Sequence, residues 1–242
     1  MKFNGVDIRS VHPALSVNKE IPPGMAKREI VTVRGNSGET LAGYQEERDT
    51  YTVRVNIAGK SEAEAWNVRA LLAAWAASSG ENTAPLEPTF WRGKVYDAIL
   101  ESISPPEFNP RFATVDVVFA LPHPYANDVN TSSAKGAGEV SFDVGGTARA
   151  MPTIRQTMAA DADGLTWLLD GEAFMRLDGA IAAGAEVEAD FMEGGVTING
   201  AHAESMIDYT RSTWQPRFTP GRHKLASSDA GEIKARWKNE WI

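Results

Sequence analysis

The chain has 242 residues, with 24 Lys plus Arg and 32 Asp plus Glu, so its formal net charge is −8. It has no Cys, and 43% of its residues are hydrophobic; this composition excludes disulfides, thiolate metal sites and wholesale disorder. No apolar segment reaches the roughly 20 residues needed to cross a bilayer. The first residues also lack the apolar core of a signal peptide, so we expect a soluble protein without membrane insertion. The acidic balance argues against nucleic acid as the main partner.

The N-terminal half combines alternating strand patterns with a helix. Tyr51, Val53, Val55 and Ile57 alternate with polar residues, which is the period of a strand with one buried face. The strands predicted in this half cover residues 28–34, 51–57, 95–103 and 115–119.

Residues 61–77 have a helical pattern. Ser61 and Glu64 have the spacing of a capping box, and Gly80 can adopt the positive φ that often ends a helix. The face predicted to be buried consists of Ala65, Val68, Leu72 and Trp75. We interpret this helix as a scaffold lying across a sheet, because nothing on it has the character of a ligand or a nucleophile.

A proline-rich and glycine-rich segment divides the chain. Residues 122–138 are small, polar, Pro or Gly, a composition typical of a linker. We therefore predict two domains, residues 1–128 and 129–242, with the boundary between Asn127 and Lys135.

The second half has an almost purely β pattern. Alternating runs are separated by Asp-Gly, Gly-Gly and Asn-Gly pairs, which favour tight hairpins because they tolerate positive φ. The predicted turns are Asp163-Gly164, Asp170-Gly171, Asp178-Gly179, Gly194-Gly195 and Asn199-Gly200. Strands at such short intervals indicate a sandwich or jelly-roll-like domain. The predicted fold class is mainly β, with one α-helix in the N-terminal domain.

Four short motifs match known sites but lack what their chemistry requires. Residues 58–61 lack the Gly that a phosphate-binding loop needs, since Arg54 stands in its place. Residues 202–204 lack the cysteine ligands of zinc deaminases, and residues 161–164 lack the ligand spacing of a calcium loop. Residues 136–138 follow a linker, where a dinucleotide fingerprint would follow a strand. We predict no catalytic, cofactor-binding or metal-binding residue, no cofactor and no enzymatic activity.

Two weaker possibilities remain open at this stage. A catalytic triad or a pair of carboxylates can form from residues distant in sequence, although the four His residues share no spacing suited to a metal. Aromatic side chains can also stack on sugars. The Trp residues least committed to a predicted core are Trp91, Trp214 and Trp241.

The order of these features resembles the distal tail protein family of long non-contractile-tailed bacteriophages. The resemblance combines a strand at residues 50–58, the capped helix, an apolar loop at residues 85–96, and a strand at residues 113–119 followed by Pro122-His123-Pro124-Tyr125. Residues 214–225 resemble the family's Pro-Gly turn before the last strands, with His223 where the family usually has Asn. Residues 232–241 resemble its closing basic-aromatic strand.

The resemblance implies a structural role. Members of the family form a hexameric ring at the tail tip of the virion, with ring-forming N-terminal domains and galectin-like C-terminal sandwiches. The implied partners are other copies of the chain, the tail tube protein and a hub, tail-associated fibre or lysin protein. Tape measure and receptor-binding proteins are further candidate partners, and DNA passes only in transit. Synthesis is expected in the host cytoplasm. Exposed edge strands, such as the strand at residues 51–57, are expected to pair between neighbouring copies, because unpaired edges are templates for strand addition.

Alternatives remain at the level of sequence. The chain could be another tail component, such as a tube subunit or an adaptor, or a carbohydrate-binding sandwich. The net charge suggests an acidic lumen that repels DNA. Whether the last strand, within residues 232–242, stays in the second domain or returns to the first is left open.

Overall fold

The computed structural model describes residues 1–24, 28–35, 38–46, 49–59, 61–192, 194–213 and 217–242. Within residues 28–46 it describes the backbone only. The fold is mainly β, with 53% of residues in strands and 10% in helices, which confirms the predicted fold class. The chain divides into two compact units. Unit 1 is Met1–Asn127 with Ile242, and unit 2 is Asp128–Trp241.

Unit 1 contains the helices α1 (Ile8–Val11) and α2 (Glu62–Ala76). Its strands are β1 (Lys2–Phe3), β2 (Val6–Asp7), β3 (Leu15–Ile21), β4 (Arg28–Gly35), β5 (Gly38–Glu46), β6 (Asp49–Ile57), β7 (Ala84–Glu87), β8 (Lys94–Ile103), β9 (Glu107–Phe108) and β10 (Ala113–Leu121). The main sheet is antiparallel and runs in the order β2-β1-β7-β8-β10-β6-β3, while β4 and β5 form a separate hairpin. Strand β5 was not predicted from the sequence.

Helix α2 covers the apolar face of this sheet. The side-chain oxygen of Ser61 accepts a hydrogen bond from the amide of Glu64 at 3.2 Å, so the predicted N-cap is present. The predicted buried face is confirmed, because Ala65, Val68, Leu72 and Trp75 are all at most 5% exposed. On the sheet, Tyr51, Val53, Val55 and Ile57 are fully buried, as their alternation predicts.

The structure corrects the expectation that residues 51–57 form an exposed sheet edge. Strand β6 is central, because β10 pairs with one side of it and β3 with the other. The edge of the main sheet on this side is β3. A β-bulge at Asn18 interrupts the pairing, since Val17 pairs with Val55 and Lys19 with Arg54.

Unit 2 is a sandwich of two antiparallel sheets, ordered β12-β21-β14-β17-β18-β19 and β13-β20-β15-β16. A 3₁₀ turn covers Glu204–Met206, and β11 (Ala126–Asp128) spans the division between the units. The remaining strands are β12 (Ser132–Ala137), β13 (Glu139–Val144), β14 (Thr153–Thr157), β15 (Ala162–Leu169), β16 (Glu172–Ile181), β17 (Glu186–Asp190), β18 (Gly195–Ile198), β19 (Ala201–His202), β20 (Gly221–Ser227), β21 (Glu232–Trp237) and β22 (Glu240–Trp241).

The predicted linker is wrong as a description of local structure. Residues 122–138 contain β11 and all of β12, and β12 pairs in register with β21 from Ser132↔Trp237 to Ala137↔Glu232. Since β12 is an edge strand, its backbone needs to form hydrogen bonds with only one neighbour, β21. Small and polar residues can do this without contributing to a core.

Two of the predicted turns are also wrong. Asp163-Gly164 and Asp178-Gly179 lie inside β15 and β16, where Gly164 pairs with Asp178 beside a bulge. Asp170-Gly171 and Asn199-Gly200 do form hairpin turns, with positive φ at all four residues. An Asp-Gly pair therefore does not by itself mark a turn. Inside the strands, Gly179 has a positive φ, and a Cβ at Gly164 would collide with the backbone carbonyl of Leu177.

A polar chain crosses the core of unit 2. The indole N–H of Trp167 donates to the side-chain oxygen of Gln156 at 2.6 Å, and both side chains are buried. The Gln156 amide nitrogen in turn donates to the carboxylate of Asp229 at 3.3 Å. Burial raises the pKa of Asp229, but hydrogen bonds from the backbone amides of Ala159 and Gly231 outweigh it, so the pKa lies below its usual value.

We expect Gln156→Leu to lower the free energy of unfolding of unit 2 by about 2 kcal/mol, because it leaves the buried indole N–H of Trp167 without an acceptor. The measurement is denaturant unfolding of the full chain, followed by the Trp167 indole resonance. Asp143→Asn, at an exposed position on β13, serves as the control. Adding Trp167→Phe removes the orphaned donor, so the two substitutions are expected to be less than additive. Strict additivity would contradict the coupling.

Candidate assembly surfaces

The motifs rejected at the level of sequence have structural roles in the fold. Ser61 caps α2, while Lys60 lies outside the described residues. The carboxylate of Asp161 accepts the amide of Ala183 at 2.7 Å. A Cβ at position 136 would collide with the backbone carbonyl of Glu139, which accounts for Gly136 without a bound nucleotide.

The histidines also lie apart from one another. His202, on the edge strand β19 of the six-stranded sheet, meets Glu204 at 3.0 Å. The Nδ1 of His12 accepts a hydrogen bond from the amide of Ala14. The ring of His123 stands edge-on to Tyr125. Within the ranges that the structure describes, no three His, Asp or Glu side chains are grouped so that they could hold a metal ion. The helices in those ranges are also too short or too polar to cross a membrane.

The outer face of α2 is apolar although it faces away from the sheet. We call this surface the helix face; its exposed residues are Ala63, Trp66, Asn67, Ala70, Leu71, Ala74 and Ala77. Trp66 is 47% exposed and Leu71 is 48% exposed. A helix on the surface of a globular protein normally carries charged residues on this side, so the helix face has the character of an interface.

Arg69 holds Trp66 in place on the helix face. Its guanidinium donates to the backbone carbonyls of Ser104 and Ile103, at 2.7 and 3.0 Å. It also lies over the indole ring of Trp66, 5.5 Å from the ring centre, at a distance that permits a cation–π interaction. The arginine thus links the exposed tryptophan to the end of β8.

A second surface with an exposed aromatic side chain lies at the edge formed by β3. We call it the edge patch; it is a shallow depression of about 460 Å³ lined by Arg9, Val17, Asn18, Lys19, Glu20, Thr89 and Phe90. Phe90 is 57% exposed and stacks on Trp91. Strand β3 pairs only with β6 among the described strands, so backbone groups on its outer side are open to a further strand or loop.

Glu20 connects the edge patch to the core. Its carboxylate accepts the hydroxyl of buried Tyr51 at 2.6 Å and the amide of Thr89 at 3.0 Å. Burial, and then the hydrogen bond to Glu20, raise the pKa of Tyr51 well above its usual value. The carboxylate of Glu20 therefore connects the segment that carries Phe90 to the core of unit 1.

Comparison with known proteins finds a family match in the second half of the chain. Residues 145–241 match the family of siphovirus-type tail components, C-terminal domain. No curated protein sequence is similar enough to the chain to count as a match.

The fold of the whole chain is that of a tail hub protein. The crystal structure of the Dit protein (gp 19.1) of phage SPP1, described as a paradigm of the hub adsorption apparatus in phages infecting Gram-positive bacteria, is similar with a TM-score of 0.76 and 13% identity. The similarity covers 100% of this chain and 98% of that one. A chain in the phage P2 baseplate in its activated conformation with calcium has a TM-score of 0.42 and 9% identity, over 93% of this chain and 90% of that one.

The Pro-Gly turn of the chain is organised by His223. The Nδ1 of its ring meets the carboxylate of Asp170 at 2.7 Å, and Nε2 meets the backbone carbonyl of Thr219, also at 2.7 Å. The ring stacks on Phe218. Although burial raises the pKa of Asp170, hydrogen bonds from His223 and Lys224 bring it below its usual value. Residues 214–216 of the predicted motif lie outside the described residues.

The Trp residues considered for sugar stacking are placed differently from one another. Trp91 stacks on Phe90 in unit 1, and the indole N–H of Trp241 donates to Asp128. Trp214 lies outside the described residues.

Sequence reasoning missed the helix face, although Ala63, Trp66, Ala70 and Ala74 repeat at spacings of three and four.

We expect Glu20→Ala to loosen the segment that carries Phe90, because it removes the acceptor for the amide of Thr89 and leaves the buried hydroxyl of Tyr51 unpaired. Hydrogen exchange at the Thr89 amide should speed up by about tenfold or more, since losing about 1.4 kcal/mol of protection is a tenfold change. Glu87→Ala, which removes an exposed ion pair with Lys2 on the neighbouring strand, should leave that rate nearly unchanged. An unaltered rate in Glu20→Ala would show that the segment is held by other contacts.

Proposed function

We propose that the chain forms a hexameric ring at the tip of a phage tail. The ring joins the tail tube protein to a hub, tail-associated fibre or lysin protein and serves as a platform for receptor-binding or accessory proteins. Unit 1 builds the ring, and unit 2 is a galectin-like sandwich available to those partners. The tape measure protein and DNA meet the ring during assembly and ejection, with DNA only in transit.

The observation that carries the proposal is the similarity of fold to the SPP1 Dit protein over the full chain. Both units follow in the same order over this length, and the tail-component family match falls within unit 2. That relative is described as a paradigm of a hub adsorption apparatus. The same role in this chain implies a structural protein of the virion, made in the host cytoplasm, that acts by assembly without catalysis.

The surfaces of unit 1 support a ring. A closed ring needs two different complementary patches on each copy, because a contact between identical patches stops at a dimer. Unit 1 has two distinct surfaces that could serve in this way, the helix face, which exposes Trp66 and Leu71, and the edge patch, which exposes Phe90.

Purified protein should show six-fold rings by negative-stain electron microscopy, and mass measurement in solution should give a species six times the 26.2 kDa chain. Assembly depends on concentration, so rings should dissociate on dilution. A chain that stays monomeric at high micromolar concentration, alone and with tube or hub proteins, would contradict the proposed function. Rings of a different symmetry would contradict only the hexamer.

A further inference from the structure

We propose that the helix face of one copy docks on the edge patch of the next copy in the ring. This inference rests on the proposed function and names the two surfaces that meet. It commits to a second copy of the chain as the occupant of the helix face.

The size and chemistry of the helix face suit a protein interface. Helix α2 has 15 residues, so its exposed side extends over about 22 Å at 1.5 Å per residue. After Glu62, none of its exposed residues is charged. A surface of this kind gains free energy when another apolar surface removes it from water.

Trp66 has the properties of an interface anchor. Trp is enriched among the residues that dominate binding energy, and Arg69 already fixes its ring against the carbonyl groups of Ser104 and Ile103. A side chain that is ordered before binding loses less entropy on association. The contact between Arg69 and the ring of Trp66 therefore supports a role for Trp66 in binding.

The edge patch can receive an apolar surface such as the helix face. It offers exposed Phe90 and half-buried Val17 around a depression, and the bulge at Asn18 interrupts the strand pairing at that point. The edge patch is also widened by Ile21, which is 40% exposed. Small Ala residues on the helix face allow close approach by such side chains.

Charge indicates how the two surfaces are paired. Arg9 and Lys19 flank the depression, and neither forms an ion pair within the described part of the chain. Exposed Glu62 is the first residue of α2 and lies at one end of the helix face. Opposite charges at the rims of two apolar patches favour one pairing over contacts between two copies of the same patch.

The absence of native Cys makes the test specific. Asn67→Cys places a thiol in the helix face, and Asn18→Cys places one in the edge patch; both positions are exposed and polar. With a short bismaleimide, the double variant should give a ladder of covalent oligomers that ends at the ring size. Each single variant alone should give no covalent dimer, and a mixture of the two single variants should give dimers only.

Each alternative occupant has its own outcome in this experiment. Covalent dimers from Asn67→Cys alone would mean that two helix faces meet, and would overturn the proposal. Rings seen by microscopy without cross-links in the double variant would also overturn it, and would leave the proposed function intact. A ladder from Asn67→Cys paired with Asp143→Cys, an exposed position in unit 2, would show unspecific reaction and remove the support. Failure to form any ring would contradict the proposed function itself.

A charge exchange tests the pairing without cross-linking. Lys19→Glu should weaken ring formation by about tenfold in concentration, since it sets like charges against Glu62, and Glu62→Lys in the same chain should restore it. Trp66→Ala should prevent rings, whereas Tyr209→Ala, at a 64% exposed aromatic in unit 2, should leave them unchanged. Folding of each variant is checked by hydrogen exchange in β6. Loss of rings in Tyr209→Ala, or their persistence in Trp66→Ala, would contradict the proposal.

Discussion

The apolar contact between α2 and the main sheet is the interaction on which unit 1 depends. A helix of 15 residues is marginal by itself in water, so it is stable only where the sheet buries its inner face. Burying side chains such as Val68 and Leu72 contributes about 1.5–3 kcal/mol each. The same contact covers one face of the sheet. It does not cover the edge at β3, because a strand at the end of an open sheet keeps one side without a neighbouring strand.

The parts of this arrangement that follow local patterns could be predicted from the sequence. The cap at Ser61, the buried face of α2 and the alternation in β6 each depend on residues close together in the chain. Strand order depends on residues far apart in the chain, so it does not follow from a local pattern. The alternation in β6 therefore gives no sign that this strand lies between β10 and β3. The edge strand β12 has the composition of a linker. Small polar residues can form it because their backbone groups need to pair with only one neighbouring strand, β21.

The second apolar face of α2 shows a different limit. Both faces repeat at helical spacing, so the sequence pattern supports two interpretations, a scaffold helix and a helix between two partners. The structure separates them, because the sheet occupies one face and the other remains exposed, with Trp66 fixed by Arg69. The Asp-Gly pairs of unit 2 are ambiguous in the same way. Gly171 lies in the hairpin turn between β15 and β16, whereas Gly179, with φ of 125°, lies inside β16.

The two units differ in how they use their apolar surface, and this difference bears on assembly. In unit 2 the two sheets share a core, and even its buried polar groups, such as Gln156, find partners there. Its large exposed hydrophobic residues, Val129, Met192 and Tyr209, are far apart in sequence and share no strand. In unit 1, Trp66 and Leu71 lie on α2, and Ile21 and Phe90 lie on or beside β3, whereas Val6 and Phe108 are exposed elsewhere. Arg9 and Lys19 line the edge patch and form no ion pair with another described residue. Exposed apolar side chains grouped in this way favour association through unit 1.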